Sequence, residues 1–220
     1  MRRTTCTIAL FAAGAAAGVS PALRAEEANR ANKWFVGADV GLALQQDVDV
    51  KEVLGTPVSG AKIEFDPGVR FDVVGGYHFT DQLSVTLEAG YTFNSLKSIA
   101  GTTLSGSGGD IDFYQFPILA NLSYTFPLEG RIKPFIGAGL GGVFGVADFS
   151  GTAAGLPSGD TQSAVSFGYQ GFAGARYEIN DRMEVGLLYK FLGTTDQEFD
   201  DFKIEGTRTH TLGVSFLYRF

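Results

Sequence analysis

The sequence predicts an all-β protein, an eight-stranded antiparallel up-and-down β-barrel that crosses a membrane. Three observations predict this fold class. Apolar and polar residues alternate with period 2 in eight segments, whereas helical spacing is almost absent. Short turns and long polar loops alternate between these segments. Aromatic residues gather near the segment ends, as they do at lipid–water interfaces.

The start of the chain is typical of a secretory signal peptide. A basic tripeptide precedes an apolar, alanine-rich run over residues 8–19, and small-residue cleavage sites follow at Ala22 and Ala25. We therefore expect a signal peptide over residues 1–25, cleaved after Ala22 or Ala25, and one barrel domain over residues 26–220.

Composition narrows the possible functions. Cys6 lies in the expected signal peptide, so the mature chain would have no thiol for a disulfide or for catalysis. Loss of three arginines with that peptide would change the formal net charge from −7 to −10. An acidic chain without a basic patch is a poor nucleic-acid binder. No later run is apolar for the roughly 18 residues that a membrane helix needs, so a membrane-spanning chain would have to form a closed barrel.

The first four strands follow from their alternation. Residues 34–44 oppose Trp, Val and Leu to Gly and Asp, and residues 69–79 oppose Val, Phe and Tyr to Arg, Asp, Gly and His. Residues 83–93 oppose Leu, Val, Tyr and Phe to Ser, Thr and Glu. Residues 114–126 oppose Tyr, Phe, Ile and Leu to Gln, Asn and Ser. Pro117 cannot donate to a ladder, so we expect a bulge or local break there.

The last four strands alternate in the same way. Residues 136–144 oppose Ile, Leu and Phe to Gly, and residues 167–179 oppose Phe, Tyr and Ala to Gln, Gly, Arg and Glu. Residues 183–191 oppose Met, Val, Leu, Tyr and Phe to Glu, Gly and Lys. Residues 212–220 oppose Leu, Val, Phe and Tyr to Gly, Ser and Arg. Eight is an even number, as single-chain bacterial barrels require.

The predicted connections between strands are alternately short and long, which assigns them to two different rims of the barrel. Tight turns are predicted at residues 80–82, 127–130 and 180–181. Long loops rich in Gly, Ser, Thr and Asp are predicted at residues 45–62, 95–110, 147–163 and 193–206. Short turns at one end and long loops at the other are typical of an outer-membrane barrel.

The apolar face could point outward to lipid or inward, as in a soluble lipocalin-like barrel. Three features favour lipid: aromatic girdles, small residues on the polar face as a narrow lumen needs, and a chain that stops at an aromatic residue. The predicted interface aromatics are Trp34, Tyr77, Phe79, Tyr124, Phe126 and Tyr177 at the short-turn rim, with Tyr91 and Phe93 at the other.

The sequence resembles the small eight-stranded outer-membrane barrels of the opacity-protein and OmpA-barrel type. The resemblance is carried by residues 33–37, 133–141, 174–190 and the ending through Phe220. It implies a bacterial outer-membrane location, contact with outer-membrane lipid and lipopolysaccharide, and export with periplasmic chaperones. It also implies that the barrel-assembly machinery reads Phe216, Tyr218 and Phe220.

The polar face predicts a charged lumen. Its ionisable side chains are Asp39, Arg70, Asp72, Glu88, Arg176, Glu178, Glu184, Lys190 and Arg219. Eight strands leave a lumen barely wide enough for side chains, so these charges either pair into a plug or line a narrow ion path. The sequence favours the plug.

Other candidate sites are weak. Ser84 near His78 across a hairpin is a conceivable catalytic pair, but a satisfied interior histidine is the favoured interpretation. Two histidines and no mature cysteine argue against zinc, and the acidic loop at residues 196–201 lacks the glycine and closing glutamate of a calcium loop. We expect no catalytic site, metal or cofactor.

The functional prediction is therefore an outer-membrane barrel with an envelope-structural and surface-display role. Its long loops would contact a host or the surroundings. A narrow porin for ions or small solutes is the alternative, and a lipid-modifying barrel enzyme is a weaker one.

Overall fold

The structure, a computed structural model, describes residues 30–53, 55–57, 60–99, 102–103, 109–151, 161–199 and 202–220. The expected signal peptide lies outside these residues. No helix among the described residues is long and apolar enough to cross a membrane.

Eight long strands form the barrel wall. They are β1 (Lys33–Gln45), β5 (Gly68–His78), β6 (Leu83–Ile99), β8 (Gly109–Thr125), β9 (Ile132–Gly151), β10 (Thr161–Glu178), β11 (Met183–Thr194) and β14 (Arg208–Arg219). Every neighbouring pair is antiparallel, and β14 pairs with β1 from Phe35↔Arg219 to Gln45↔Thr209. The barrel is therefore closed, which confirms the predicted fold class.

The apolar face points outward. Leu87 and Leu187 on the outside are 62% and 69% exposed, whereas the lumen-facing Arg70 and Arg219 are 1% and 0% exposed. A soluble barrel has the opposite arrangement, because its outer surface meets water. This outer surface instead suits a hydrocarbon environment.

Seven of the eight wall strands are longer than the alternation predicts, and β5 has the predicted length of 11 residues. β9 has 20 residues, against nine in the predicted segment 136–144. About 9–11 residues of a tilted strand cross a bilayer. The wall therefore continues well beyond the lipid at the end opposite the short turns.

The long connections hold six further short strands. They are β2 (Val48–Val53), β3 (Thr56–Pro57), β4 (Lys62–Phe65), β7 (Thr102–Thr103), β12 (Gln197–Glu198) and β13 (Phe202–Ile204). β2 pairs with β4 and β13, and β4 pairs with the wall strand β6. We call β2, β3, β4, β7, β12 and β13 together the cap.

The cap shares an apolar core with the upper ends of the wall strands β8, β9 and β10. Its buried members are Val48, Val50, Ile63, Phe113, Ala147, Ala164, Phe199 and Ile204. The prediction of long polar loops over residues 45–62 and 193–206 is therefore wrong where these strands occur. The apolar runs in these segments are short and are interrupted by acidic residues. Such a composition is also typical of solvated loops, which is why the strands were not predicted.

Pro117 lies inside β8 without a bulge. The β6–β8 ladder runs from Leu83↔Tyr124 to Ala89↔Ile118 and resumes at Thr92↔Gln115 in the same register. Of the two expected alternatives, a bulge or a local break, the structure has the local break. Gly90 leaves room for the Pro117 ring, because a Cβ at position 90 would lie 2.8 Å from Pro117 Cγ and 2.3 Å from Asp72 Oδ1.

Substituting Gly90 by Ala should destabilise the barrel by about 1–3 kcal/mol, because the added methyl overpacks the lumen. The matched control is Gly75→Ala, since a Cβ at Gly75 meets nothing within 4 Å. The measurement is the urea midpoint of the protein in lipid vesicles. Equal midpoints for the two variants would contradict the close approach at Gly90.

Candidate functional site

Side chains fill the lumen in layers that succeed one another from the short-turn rim toward the cap. The lowest layer joins Arg30, Glu178, Glu184 and Arg219. Arg30 Nη2 lies 2.9 Å from Glu178 Oε1 and 2.7 Å from Glu184 Oε1, and Arg219 Nη1 donates to Glu184. Two cations therefore meet two carboxylates at the base of the lumen.

Arg30 enters this layer from the segment before β1. Its backbone N–H donates to Asp81 Oδ1 at 2.8 Å, as does that of Ala31 at 3.0 Å. This carboxylate in the first short turn fixes the segment across the rim, and the guanidinium lies inside the barrel. Sequence reasoning missed Arg30 because it precedes the first alternating strand.

An apolar layer lies above the lower ion pairs. Phe35, Phe135, Leu188 and Leu217 are buried there. Arg176 Cζ lies 3.8 Å from the centroid of the Phe135 ring, which is a cation–π distance. Arg176 Nε has no hydrogen-bond partner among the described residues. Arg176 thus packs on an aromatic ring between the two ion-paired layers, and the carboxylates of Glu184 and Asp39 act on its charge.

The next layer holds five of the predicted charges. Arg70 donates to Asp72 Oδ1 at 2.9 Å and to Glu88 Oε1 at 2.7 Å. Lys190 Nζ lies 2.8 Å from Asp39 Oδ2, 2.8 Å from Asp72 Oδ2 and 3.1 Å from Glu88 Oε2. We call Asp39, Arg70, Asp72, Glu88 and Lys190 the upper charge layer.

Amide side chains complete the upper charge layer. Gln170 Nε2 donates to both oxygens of Glu88 at 3.2 Å, and Asn121 Nδ2 donates to Glu88 Oε2 at 3.2 Å. Three carboxylates face two cations here, so these donors supply the hydrogen bonds that the cations do not. Buried charges persist when they are paired and hydrogen-bonded in this way.

Two further layers of side chains fill the lumen above the upper charge layer, the first apolar and the second polar. Leu119, Val143 and Leu192 form a buried apolar cluster with 0%, 0% and 1% exposure. Polar contacts follow, among them Gln115 Nε2 to Thr207 Oγ1 at 2.8 Å, and the cap core lies beyond them. The described residues thus alternate ionic and apolar layers along the lumen.

Aromatic side chains pair on the outer surface at both ends of the wall. At the short-turn rim, ring centroids are 5.0 Å apart for Trp34 and Tyr77, and 5.3 Å apart for Tyr77 and Phe79. Phe93 lies 5.4 Å from Tyr114 toward the cap. The other predicted interface aromatics also face outward: Tyr91, Tyr124, Phe126 and Tyr177.

The histidines lie in unrelated surroundings. His78 packs on Phe35 with ring centroids 4.4 Å apart, while Ser84 Oγ is hydrogen-bonded to Ser123 Oγ at 2.7 Å. His210 is hydrogen-bonded to Tyr189 on the outer surface at 2.7 Å. Within the described ranges, no group of three or more His, Cys, Asp or Glu side chains is arranged to hold a metal ion.

A closed barrel with an apolar exterior, aromatic girdles and a charge-filled lumen defines a membrane-spanning β-barrel protein. Residues 5–220 match the family described as outer membrane protein beta-barrel domain. The chain belongs to this family, and its location is the bacterial outer membrane. The short-turn rim therefore faces the periplasm, and the cap lies at the cell surface.

Solved structures share this fold at low sequence identity. Neisserial surface protein A is 16% identical, with 85% of this chain and 97% of that one covered and a TM-score of 0.57. The outer membrane protein OprG from Pseudomonas aeruginosa is 15% identical, with coverage of 86% and 97% and a TM-score of 0.56. No curated protein matches the sequence.

Replacing Lys190 by Met should destabilise the barrel by about 3–5 kcal/mol, because three buried carboxylates would then share one cation. The matched control is Lys203→Met in the cap, where the partner Glu198 has a side chain 76% exposed. We expect the control to cost no more than about 1 kcal/mol. Urea unfolding from lipid vesicles, followed by Trp34 fluorescence, measures both. A Lys190→Met variant as stable as the control would contradict the upper charge layer.

Proposed function

We propose that this outer-membrane barrel anchors a folded cap for contact at the cell surface, that it supports the envelope, and that its lumen is plugged. The observation that carries the proposal is the alternation of ionic and apolar layers from Arg30 to the cap core. An ion would have to cross the Leu119, Val143 and Leu192 cluster without its hydration shell, which is costly. Function would then lie outside the lumen.

The cap is suited to surface contact because it is already folded. Its strands pair with one another and with β6, and its core is buried. A preorganised surface loses less conformational entropy on binding than a flexible loop does. A ligand of the host or of the surroundings would thus meet a fixed surface.

Charged pairs cover this surface. Lys51 Nζ lies 2.6 Å from Asp196 Oδ2, and Arg208 Nη2 lies 3.5 Å from Glu205 Oε1. The hydrogen bond from Lys51 lowers the pKa of Asp196 below its ordinary value, so the carboxylate stays ionised in mildly acidic surroundings. The contact surface would lose this pair only as the pH falls through that lowered pKa. Salt screens exposed pairs of this kind, so they favour specificity over stability.

Assembly and catalysis complete the proposal. Phe216, Tyr218 and Phe220 would be read by the barrel-assembly machinery after delivery by periplasmic chaperones. In this proposal the barrel is not an enzyme: the Ser84 hydroxyl is engaged with Ser123 rather than aimed at His78. A lipid-modifying activity would need a serine and a histidine in hydrogen-bond contact.

A narrow porin is the alternative. The observation that favours it is Arg176, whose Nε lacks a partner and which lies beside a small cavity that Asp39 and Ser215 also line. For an ion to pass, the side chains around this cavity would have to rearrange so that a continuous path joined the lower and upper charged layers. Conductance separates the two functions.

Protein purified from outer membranes should give a silent planar bilayer, because the apolar cluster has no water-filled path. Folding and insertion are checked by heat-modifiable gel mobility. Reproducible conductance steps that disappear in Arg70→Gln would instead establish a porin. Steps that persist in Arg70→Gln would indicate leakage around the barrel.

Charging the cap core should open the cap and leave the barrel folded. Ile204 is 1% exposed, so Ile204→Asp places a carboxylate among apolar side chains. We expect trypsin to cut after Lys62 of β4 in intact cells, and attachment of the cells to surfaces to fall. The control Leu128→Asp changes an exposed residue of a periplasmic turn and should alter neither result. Unchanged attachment with a cleaved cap would overturn the surface-contact proposal.

A further inference from the structure

An apolar groove of about 690 Å³ crosses the outer surface of the barrel. It lies between two rows of lipid-facing side chains on six adjacent strands: β5, β1, β14, β11, β10 and β9. In the lower row, strand register places Ala38 beside Phe216, Phe216 beside Val185, Val185 beside Tyr177, and Tyr177 beside Ile132.

The upper row runs parallel to the lower one. Register aligns Phe71 with Val40, Val40 with Val214, Val214 with Leu187, and Leu187 with Ala175. Ala38 in one row and Ala175 in the other are small among larger neighbours, which gives the groove depth at both ends. A volume of this size is typical of a ligand site.

The groove climbs from the periplasmic rim to the middle of the membrane. Its foot is Ile132, the first residue of β9, and its upper end is at Phe71, seven residues from the short-turn end of β5 at His78. Six strands span five spacings of about 4.8 Å, or roughly 24 Å. Because strands tilt by about 40°, a line perpendicular to them rises about 15 Å along the membrane normal.

That rise equals one leaflet. The hydrocarbon core of a bilayer is about 30 Å thick, so each leaflet contributes about 15 Å. A groove that starts at the periplasmic rim and ends at mid-membrane therefore has the length and slope of an acyl chain of the periplasmic leaflet.

A cation lies at the foot of the groove. Arg131 is exposed, directly precedes Ile132, and donates from Nη1 to the Tyr177 hydroxyl at 3.4 Å. This contact directs the guanidinium toward the groove. A guanidinium binds phosphate through two parallel hydrogen bonds. Glu129, two residues before Arg131 in the chain, is also exposed and offers a carboxylate that suits an ammonium group.

We propose that the groove binds one phospholipid of the periplasmic leaflet, with an acyl chain between the two rows and its phosphate on Arg131. The mixed charges of the turn favour a zwitterionic headgroup, phosphate on Arg131 and ammonium on Glu129. The bound chain crosses the contact between β1 and β14, where the barrel closes. It therefore covers the outer side of the closing strand pair.

The test uses the full chain expressed in a Gram-negative host and extracted from outer membranes in a mild non-ionic detergent. Native mass spectrometry should find one phosphatidylethanolamine retained per barrel. Arg131→Gln should lower its occupancy about tenfold, because a charge-assisted contact to the phosphate is lost. Ala175→Phe should lower it similarly by filling the groove.

Matched controls lie elsewhere on the barrel. Ala120→Phe adds the same ring to a lipid-facing alanine of β8, and Arg208→Gln removes an exposed arginine near the cap. Both should retain the lipid. Heat-modifiable mobility checks folding, and Arg131→Gln tests the site even if Ala175→Phe does not fold, because Arg131 is exposed.

Three results would overturn the proposal. Absence of any retained phospholipid in the unsubstituted protein would remove the site. Equal retention by Arg131→Gln and Arg208→Gln would remove Arg131 from it. Retention of an anionic phosphatidylglycerol instead of phosphatidylethanolamine would overturn the headgroup assignment. None of these results depends on whether the lumen conducts or the cap binds.

Discussion

The rest of the structure depends on the pairing of β1 with β14. Within hydrocarbon there is no water to satisfy a free strand edge, so the sheet must close on itself. Register from Phe35↔Arg219 to Gln45↔Thr209 supplies this closure between the first and last wall strands. Once the barrel is closed with eight strands, its outer face must be apolar and its lumen must be narrow.

The narrow lumen determines which charges can remain there. With Arg30 added to the nine predicted charges, the set holds five cations and five carboxylates: Arg30, Arg70, Arg176, Lys190 and Arg219, with Asp39, Asp72, Glu88, Glu178 and Glu184. Glycines provide the remaining space. A Cβ on Gly139 would lie 1.8 Å from Asn121 Oδ1, so that position must be bare for the amide to reach Glu88. In this lumen the pairing of charges thus depends on the packing, because small residues leave the space that the hydrogen-bonding side chains need.

Period-2 alternation was sufficient to predict the wall strands and the inward direction of Arg70 or Glu184, because a strand has only two faces. It could not predict which charges meet, since pairing across the lumen depends on the register of strands far apart in sequence. Arg30 lies before any alternation. The cap strands could not be predicted, because Val48 and Val50 alternate with aspartates and this pattern suits a solvated loop as well as an exposed strand. Pro117 was a recognisable irregularity, but its solution lies in Gly90 on another strand.

Closure also separates the molecule into surfaces with different tasks. The lumen-facing charges are buried and mostly paired with one another, so they offer an external ligand little access. The cap shares its apolar core with β8, β9 and β10 and pairs with β6, so it continues the wall above the membrane. On the outer face, every strand must present apolar side chains to lipid. One lipid contact can therefore differ from another only through local differences in side-chain size, such as Ala38 and Ala175 among larger neighbours. With the lumen occupied by the interactions that allow the closed fold to exist, the specific contacts that we propose for this barrel belong to the cap and to such irregularities of the outer wall.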